Sequence, residues 1–160
     1  MTWDEFVSNV RAWSTERGIY QHSTAVAQAL KACSEAGELC DAVIKGDRAA
    51  MIDAVGDVAV CLVNVANMIG SSLSVSGACD DDSSMQLAAA CATGYCAKAA
   101  ESLSYKGIGC ADGAIQEAAW SLDDFCNAAD LDFMECCAAA WNQIKDRKGR
   151  MVAGGAFVKD

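Results

Sequence analysis

The sequence contains no proline and one histidine, and aromatic residues make up only 7% of its 160 residues. Because proline breaks helices, its absence together with abundant alanine favours helices throughout the chain. Few β-branched or aromatic runs alternate with a period of two, so a substantial sheet is not expected. We therefore predict an all-α protein that forms a single domain over residues 1–160.

The single histidine, His22, disfavours several kinds of functional site. One histidine disfavours a conventional Ser/His/Asp triad and removes the usual Cys/His zinc pattern. A di-iron carboxylate bundle normally uses Glu-x-x-His pairs on two helices, so it is also disfavoured.

Positive charge and long apolar runs are also scarce. The formal net charge is −10, which argues against a nucleic-acid-binding surface. No stretch approaches the roughly 20 uninterrupted apolar residues of a transmembrane helix, and the N-terminal MTWDEF is acidic and amphipathic, unlike a signal peptide. We expect a cytoplasmic protein that binds neither nucleic acid nor a membrane.

The ten cysteines do not suggest a disulfide framework. None forms a Cys-x-x-Cys pair, and most occupy positions on helical faces where alanine would also fit. We interpret them as reduced, small core residues.

Apolar spacing and capping residues predict six helices. Thr2 and Glu5 form a capping box, Ser23 or Thr24 can cap the second helix, and Asp130 is the predicted cap of the last. The Ser- and Asp-rich residues 71–83 are the best linker candidate, and the tail is expected to form an extended segment or a hairpin. The predicted helices cover residues 3–17, 24–44, 47–69, 84–105, 112–129 and 131–147.

Two carboxylate pairs mark the candidate site. Glu35 and Glu38 lie on the second predicted helix, and Asp53 and Asp57 lie on the third. Spacings of three and four place each pair on one face of its helix, and the short turn at 45–47 makes the two helices antiparallel neighbours. Four carboxylates in an apolar bundle need a compensating cation, and oxygen-only ligands indicate Mg²⁺ or Mn²⁺. Gly37 and Gly56, beside the acidic pairs, suggest close helix packing there.

A faint internal repeat relates two stretches of the chain. Residues 54–67 match residues 114–127 at an offset of 60, and Asp57 falls opposite Glu117. Either the hairpin is duplicated, with a degenerate second copy over 84–129 that lacks the acidic site, or two alanine-rich helices resemble each other by chance.

Several phrases resemble MazG-like nucleotide pyrophosphohydrolases of the all-α NTP pyrophosphatase superfamily. They are Glu35-Ala36-Gly37-Glu38-Leu39, Lys45-Gly46-Asp47, Ile52-Asp53-Ala54-Val55-Gly56-Asp57 and the tail from Ala140 to Val152, which resembles short, phage-type members. The resemblance implies a bundle of antiparallel helix hairpins. It also implies Mg²⁺-dependent hydrolysis of a nucleoside triphosphate to the monophosphate and pyrophosphate.

Carried over by position, the resemblance makes Glu35, Glu38 and Asp57 the metal ligands and catalytic residues. The common family pattern has a carboxylate three residues before the aspartate, and this chain has Ala54 there. Asp53 faces Asp57 and is the expected substitute. The departure leaves the number of ions open.

Other polar and aromatic residues are candidates for substrate binding. The basic cluster Lys145, Arg147, Lys148 and Arg150 can clamp phosphates or complement a helix dipole. Trp13 can stack on a base or belong to the core, and His22 can contact the sugar or base. Asn64 lies two turns beyond Asp57 and can contact substrate or satisfy a buried hydrogen bond.

The alternative to an enzyme is a helical assembly module of the same fold whose acidic site has decayed. Ala54 and the missing second acidic pair support it. Helices 24–44 and 47–69 carry more apolar surface than one hairpin can cover, so we also expect a homo-oligomer, a dimer or a tetramer.

Overall fold

The computed structural model describes residues 1–75, 84–105, 108–153, 155 and 157–159. Within these residues the chain forms seven helices and one two-stranded antiparallel sheet, so the all-α prediction is confirmed. The elements are α1 (Trp3–Glu16), α2 (Ile19–His22), α3 (Ala25–Lys45), α4 (Arg48–Ile69), α5 (Met85–Tyr105), α6 (Ile108–Ala128), α7 (Phe133–Ile144), β1 (Gly149–Met151) and β2 (Phe157–Lys159).

Helix termini follow local capping chemistry. The Thr2–Glu5 capping box forms with both of its hydrogen bonds, and the Thr24 side chain caps α3. The last helix begins at Phe133, because Asp132 rather than Asp130 accepts the capping bond from the N–H of Glu135. Its predicted range of 131–147 was therefore too long at both ends.

Two further boundaries differ from the predictions. Residues 18–23 lie between two predicted helices, but Ile19–His22 forms the one-turn helix α2 after Gly18, whose φ is +72°. Helix α6 begins four residues before the predicted start, at Ile108. Lys106 and Gly107, between the predicted helices 84–105 and 112–129, lie outside the described residues.

Helix α4 is the central helix of the bundle. Thirteen of its 22 residues are buried, and it contacts α1, α3, α6 and α7. By length and composition alone it could cross a membrane, with a mean hydropathy of 1.8 over its most apolar window. However, 72% of that window is buried inside the protein, as expected of a core helix apolar nearly all round.

The two long helix pairs are arranged as two hairpins. Helix α3 packs against α4, α5 packs against α6, and α3 packs against α5. The α3–α5 pair is antiparallel, since Thr93 of α5 donates to the carbonyl of Ala36 at 3.3 Å while Cys40 contacts Ala89. Helices α3 and α5 have equal lengths and begin 60 residues apart. Helices α4 and α6 also begin 60 residues apart. That spacing equals the offset of the sequence repeat.

Glycines 37 and 56 behave differently. A Cβ on Gly56 would lie 2.5 Å from the carbonyl oxygen of Cys136 and 2.6 Å from Ala140 Cβ, so α4 and α7 approach closely there. Gly37 is exposed, and a Cβ at this position would meet nothing within 4 Å outside its own helix backbone. The expectation of close packing is confirmed at Gly56 and wrong at Gly37, because Gly37 faces away from the α3 interfaces.

The chain after α7 folds back as a hairpin. Strands β1 and β2 pair antiparallel, with Arg150 opposite Val158, which agrees with the predicted tail hairpin. Gly155 has φ +76° and is buried against Ser23 and Ala27, so this hairpin covers the start of α3. Gly154, Ala156 and Asp160 lie outside the described residues.

The predicted linker is described only over residues 71–75, which have no regular secondary structure. The Gln116 side chain bonds both the N–H and the carbonyl of Ser74, and the Trp3 indole donates to the carbonyl of Leu73 at 3.0 Å. Residues 76–83, with Cys79, lie outside the described part. All nine described cysteines are free thiols, and five of them are buried.

Candidate functional site

A pocket of about 140 Å³ lies where α1, α3, α4 and the C-terminal hairpin meet. It collects residues that are far apart in the chain and combines charged, amide and aromatic side chains. Its lining is formed by Trp13, Ile19, Ala27, Gln28, Lys31, Glu35, Asp57, Val60, Cys61, Asn64, Ile144, Arg147, Gly155 and Phe157.

The acidic part of the pocket is formed by one carboxylate from each helix of the α3–α4 hairpin. Glu35 is only 6% exposed and forms a salt bridge with Lys31 one turn earlier on α3. Asp57 is half-buried on the facing surface of α4. The two facing acidic helices therefore bring one pair of side chains, Glu35 and Asp57, into a common site.

The pKa values of the pocket residues reflect the proximity of Glu35 and Asp57. Burial, followed by the negative charges of Glu35 and Asp53, raises the pKa of Asp57 from 3.8 to about 6, although Arg147 and Lys31 oppose the rise. At Lys31, burial tends to lower the pKa, but the hydrogen bond and charge of Glu35 outweigh burial, so the pKa of Lys31 is raised. The carboxylates repel each other, and two cations from different parts of the chain partly offset the repulsion.

The other two predicted ligands lie outside the pocket lining. Glu38 is exposed, and its charge acts on Lys31 from the solvent side. Asp53 is half-buried and accepts a hydrogen bond of 2.5 Å from Gln143 of α7. In the described part of the chain, no group of three or more His, Cys, Asp or Glu side chains is arranged to hold a metal ion.

The donor chemistry of the pocket nevertheless suits a hard divalent cation. Glu35 and Asp57 supply carboxylate oxygens, the ligands that Mg²⁺ prefers. Burial first, and then the charges of Glu35 and Asp53, disfavour the charged form of Asp57 and raise its pKa, and a bound cation would offset both effects. Cys61 also lines the pocket, but burial raises the pKa of its thiol, so it stays protonated and is a poor nucleophile.

A buried amide network forms the neighbouring wall. Asn64 is 2% exposed, and its Oδ1 accepts hydrogen bonds from Ser14 Oγ at 2.7 Å and from Tyr20 at 2.9 Å. Its Nδ2 donates to Gln28 Oε1 at 3.2 Å, and Gln28 Nε2 donates to Ser23 Oγ at 3.0 Å. Asn64 therefore makes buried hydrogen bonds, which is one of the two roles expected from the sequence, and it also lines the pocket.

Of the predicted basic cluster, only Arg147 lines the pocket. Its main-chain carbonyl accepts a hydrogen bond of 3.0 Å from Arg17 Nε, which holds the chain after α7 against α1. Lys145 is exposed and donates to Asn142, and both Lys148 and Arg150 lie outside the pocket lining.

The aromatic candidates separate in the same way. Trp13 is 6% exposed, lines the pocket and packs edge to face on Phe157 with ring centroids 5.5 Å apart. His22 is exposed in a shallow depression beside Arg17 and the C-terminal hairpin, outside this pocket. Sequence reasoning missed Gln28, Lys31 and Phe157. Lys31 alone had a local signal, since it stands four residues before Glu35 on the same helix.

Comparison with known proteins adds no assignment. A scan against protein-family models and searches of curated proteins and of solved structures gave no match to this chain.

Proposed function

We propose that the protein is a Mg²⁺-dependent nucleoside triphosphate pyrophosphohydrolase that converts a (d)NTP to the monophosphate and pyrophosphate. The observation that carries this proposal is the shared pocket of Glu35, Asp57, Lys31 and Arg147. Facing carboxylates with two nearby cations are the combination that holds a metal–polyphosphate complex. The MazG-like sequence phrases supply the choice of reaction.

In this proposal Glu35 and Asp57 hold the cation, and the nearby negative charge of Asp53 strengthens the field that attracts it. When bound, Mg²⁺ would supply charge neutralisation and orientation of the phosphate groups. Arg147 and Lys31 contact the non-bridging phosphate oxygens, because a guanidinium and an ammonium are strong donors to such oxygens. The apolar walls around Ile19 and Val60 limit the access of bulk water.

The decisive experiment is a panel of NTPs and dNTPs with Mg²⁺, scored for release of pyrophosphate. We expect turnover by the wild type, and loss of at least about two orders of magnitude in Glu35→Gln and Asp57→Asn, since each removes an anionic ligand. Asp41→Asn is the matched control, because Asp41 is an exposed carboxylate on α3 outside the pocket lining. No pyrophosphate from any triphosphate with folded protein would contradict the proposal.

The second candidate function is a non-catalytic assembly module. The exposure of Glu38, together with the engagement of Asp53 by Gln143, favours it. Ile44 and Tyr105 are 83% and 85% exposed and could contact another subunit. In this case the wild type and the Glu35→Gln variant are equally inactive, and light scattering detects a dimer or tetramer for both.

A further inference from the structure

The C-terminal hairpin contributes directly to the pocket. Arg147 precedes β1, Gly155 lies in the loop, and Phe157 begins β2, and all three line the pocket. The hairpin is seated closely, since a Cβ on Gly155 would lie 3.2 Å from Ser23 Oγ and 3.3 Å from Ser23 Cα. One wall of the pocket is therefore built from residues that follow α7.

Phe157 is the hairpin residue whose aromatic ring packs against the rest of the protein. It packs edge to face on Trp13 at an interplanar angle of 67°. A Cβ on Gly149 would lie 2.7 Å from Phe157 Cζ, so the absent side chain at Gly149 leaves the space that this ring occupies. The neighbouring Val158 is 44% exposed and does not line the pocket.

The wall beside Phe157 contains hydrogen-bond donors on two amide side chains. Among the described residues, the indole N–H of Trp13 is buried without a hydrogen-bond partner, but protein atoms enclose that nitrogen, so Trp13 contributes its ring rather than a donor. Gln28 and Asn64 each carry two amide hydrogens, and the bonds described above use one on each side chain.

We propose that this wall binds the nucleobase of the substrate, with Phe157 as a specificity-determining residue. The base lies against the Phe157 ring, and a carbonyl oxygen or ring nitrogen of the base accepts a hydrogen bond from the second amide hydrogen of Gln28. The proposal rests on the proposed function for the identity of the ligand as a nucleotide. It goes further by assigning base recognition to the C-terminal hairpin, whereas the phosphates lie against Lys31 and Arg147.

The geometry also links the two halves of the site. Arg147 lies two positions before Gly149 of β1, and the Arg147 carbonyl is held by Arg17. A base that packs on Phe157 holds the hairpin in place and thereby keeps Arg147 beside Asp57. Inorganic pyrophosphate has no base and does not use this wall.

The test is isothermal titration calorimetry of the full chain with nucleosides, nucleoside monophosphates and inorganic pyrophosphate with Mg²⁺. Phe157→Leu keeps an apolar side chain on the hairpin, Phe157→Ala removes it, and Val158→Ala is the matched control on the same strand. We expect nucleoside and monophosphate affinity to fall about tenfold or more in both Phe157 variants, since the aromatic contact is lost. Pyrophosphate affinity should change by less than about twofold, and Val158→Ala should match the wild type.

Wild-type nucleoside affinity in Phe157→Leu, folded as judged by circular dichroism, would overturn the proposal. An equal loss of pyrophosphate binding would also overturn it, because the hairpin would then be a general scaffold. Nucleoside binding that depends on Phe157 without turnover of any triphosphate supports this inference and refutes the hydrolase. Turnover that is indifferent to both Phe157 substitutions leaves the hydrolase intact and refutes base recognition by this wall.

Discussion

Replacement of Asp57 by asparagine should stabilise the protein while abolishing its proposed activity. Burial and the charges of Glu35 and Asp53 raise the pKa of Asp57 from 3.8 to about 6, so the folded chain holds this proton more tightly than the unfolded chain. Stability that depends on the protonated carboxyl is therefore present below about pH 4 and is lost as the pH rises through about 6. Asparagine resembles the protonated form and does not ionise.

The size of the effect follows from the shift. The difference between 3.8 and about 6 corresponds to about 3 kcal/mol if none of the repulsion is screened. Because Asp57 is partly exposed to solvent, we expect about 1–2 kcal/mol in the free energy of unfolding near neutral pH. For a chain of this length, that gain raises the Tm by roughly 2–8 °C.

The assay is urea denaturation followed by far-UV circular dichroism, with EDTA present, near neutral pH and again at about pH 4. Asp57→Asn should be more stable than the wild type near neutral pH, and the difference should nearly vanish at about pH 4. Asp41→Asn, an exposed carboxylate on α3, should give no gain. An Asp57→Asn variant that is no more stable near neutral pH, or equally stabilised at both pH values, would refute the electrostatic reasoning.

Two further predictions concern packing and the buried network, and both are measured by urea denaturation. Gly56→Ala should lower stability by about 1–3 kcal/mol despite the better helix propensity of alanine, because its Cβ would lie 2.5 Å from the carbonyl oxygen of Cys136. Gly37→Ala is the matched control and should raise the free energy of unfolding by about 1 kcal/mol. If Gly56→Ala were instead stabilising, α4 and α7 would not be in close contact. Asn64→Ala should cost about 2–4 kcal/mol, since it leaves the hydrogen-bonding groups of Ser14 and Gln28 buried without their partner. A cost below about 0.5 kcal/mol would show that the network is hydrated instead.

Helix positions could be predicted because their signals are local. Apolar periodicity, the Thr2 cap and the Gly46 and Gly70 termini depend on residues within a few positions of each other. The errors at α2 and α6 arose where the sequence signal is short, or where no Ser, Thr, Asp or Asn directly precedes the first helical residue in the sequence. Asp130 and Asp132 are both plausible caps, and only the backbone geometry decides between them.

The acidic site could be predicted only in part. A spacing of three residues rotates two side chains about 60° apart on a helix, so Glu35 can face α4 while Glu38 faces solvent. The basic cluster lies beyond the end of α7 at Ile144, where helical spacing no longer applies, and of its four residues only Arg147 lines the pocket. Spacing restricts residues to a face, but it does not set the rotation of that face in the bundle.

By itself, the sequence determined the helical class, the α3–α4 hairpin and the presence of carboxylates on both of its helices. Periodicity and capping are short-range, so neighbouring residues in the sequence are enough to reveal them. Only the tertiary structure decided that Glu35 and Asp57, rather than all four carboxylates, share a pocket. It also placed Phe157 on Trp13, a contact across 144 positions for which the sequence contains no local signal. Such contacts depend on how whole elements pack, because each gains its stability from surfaces that are contiguous only in the folded chain.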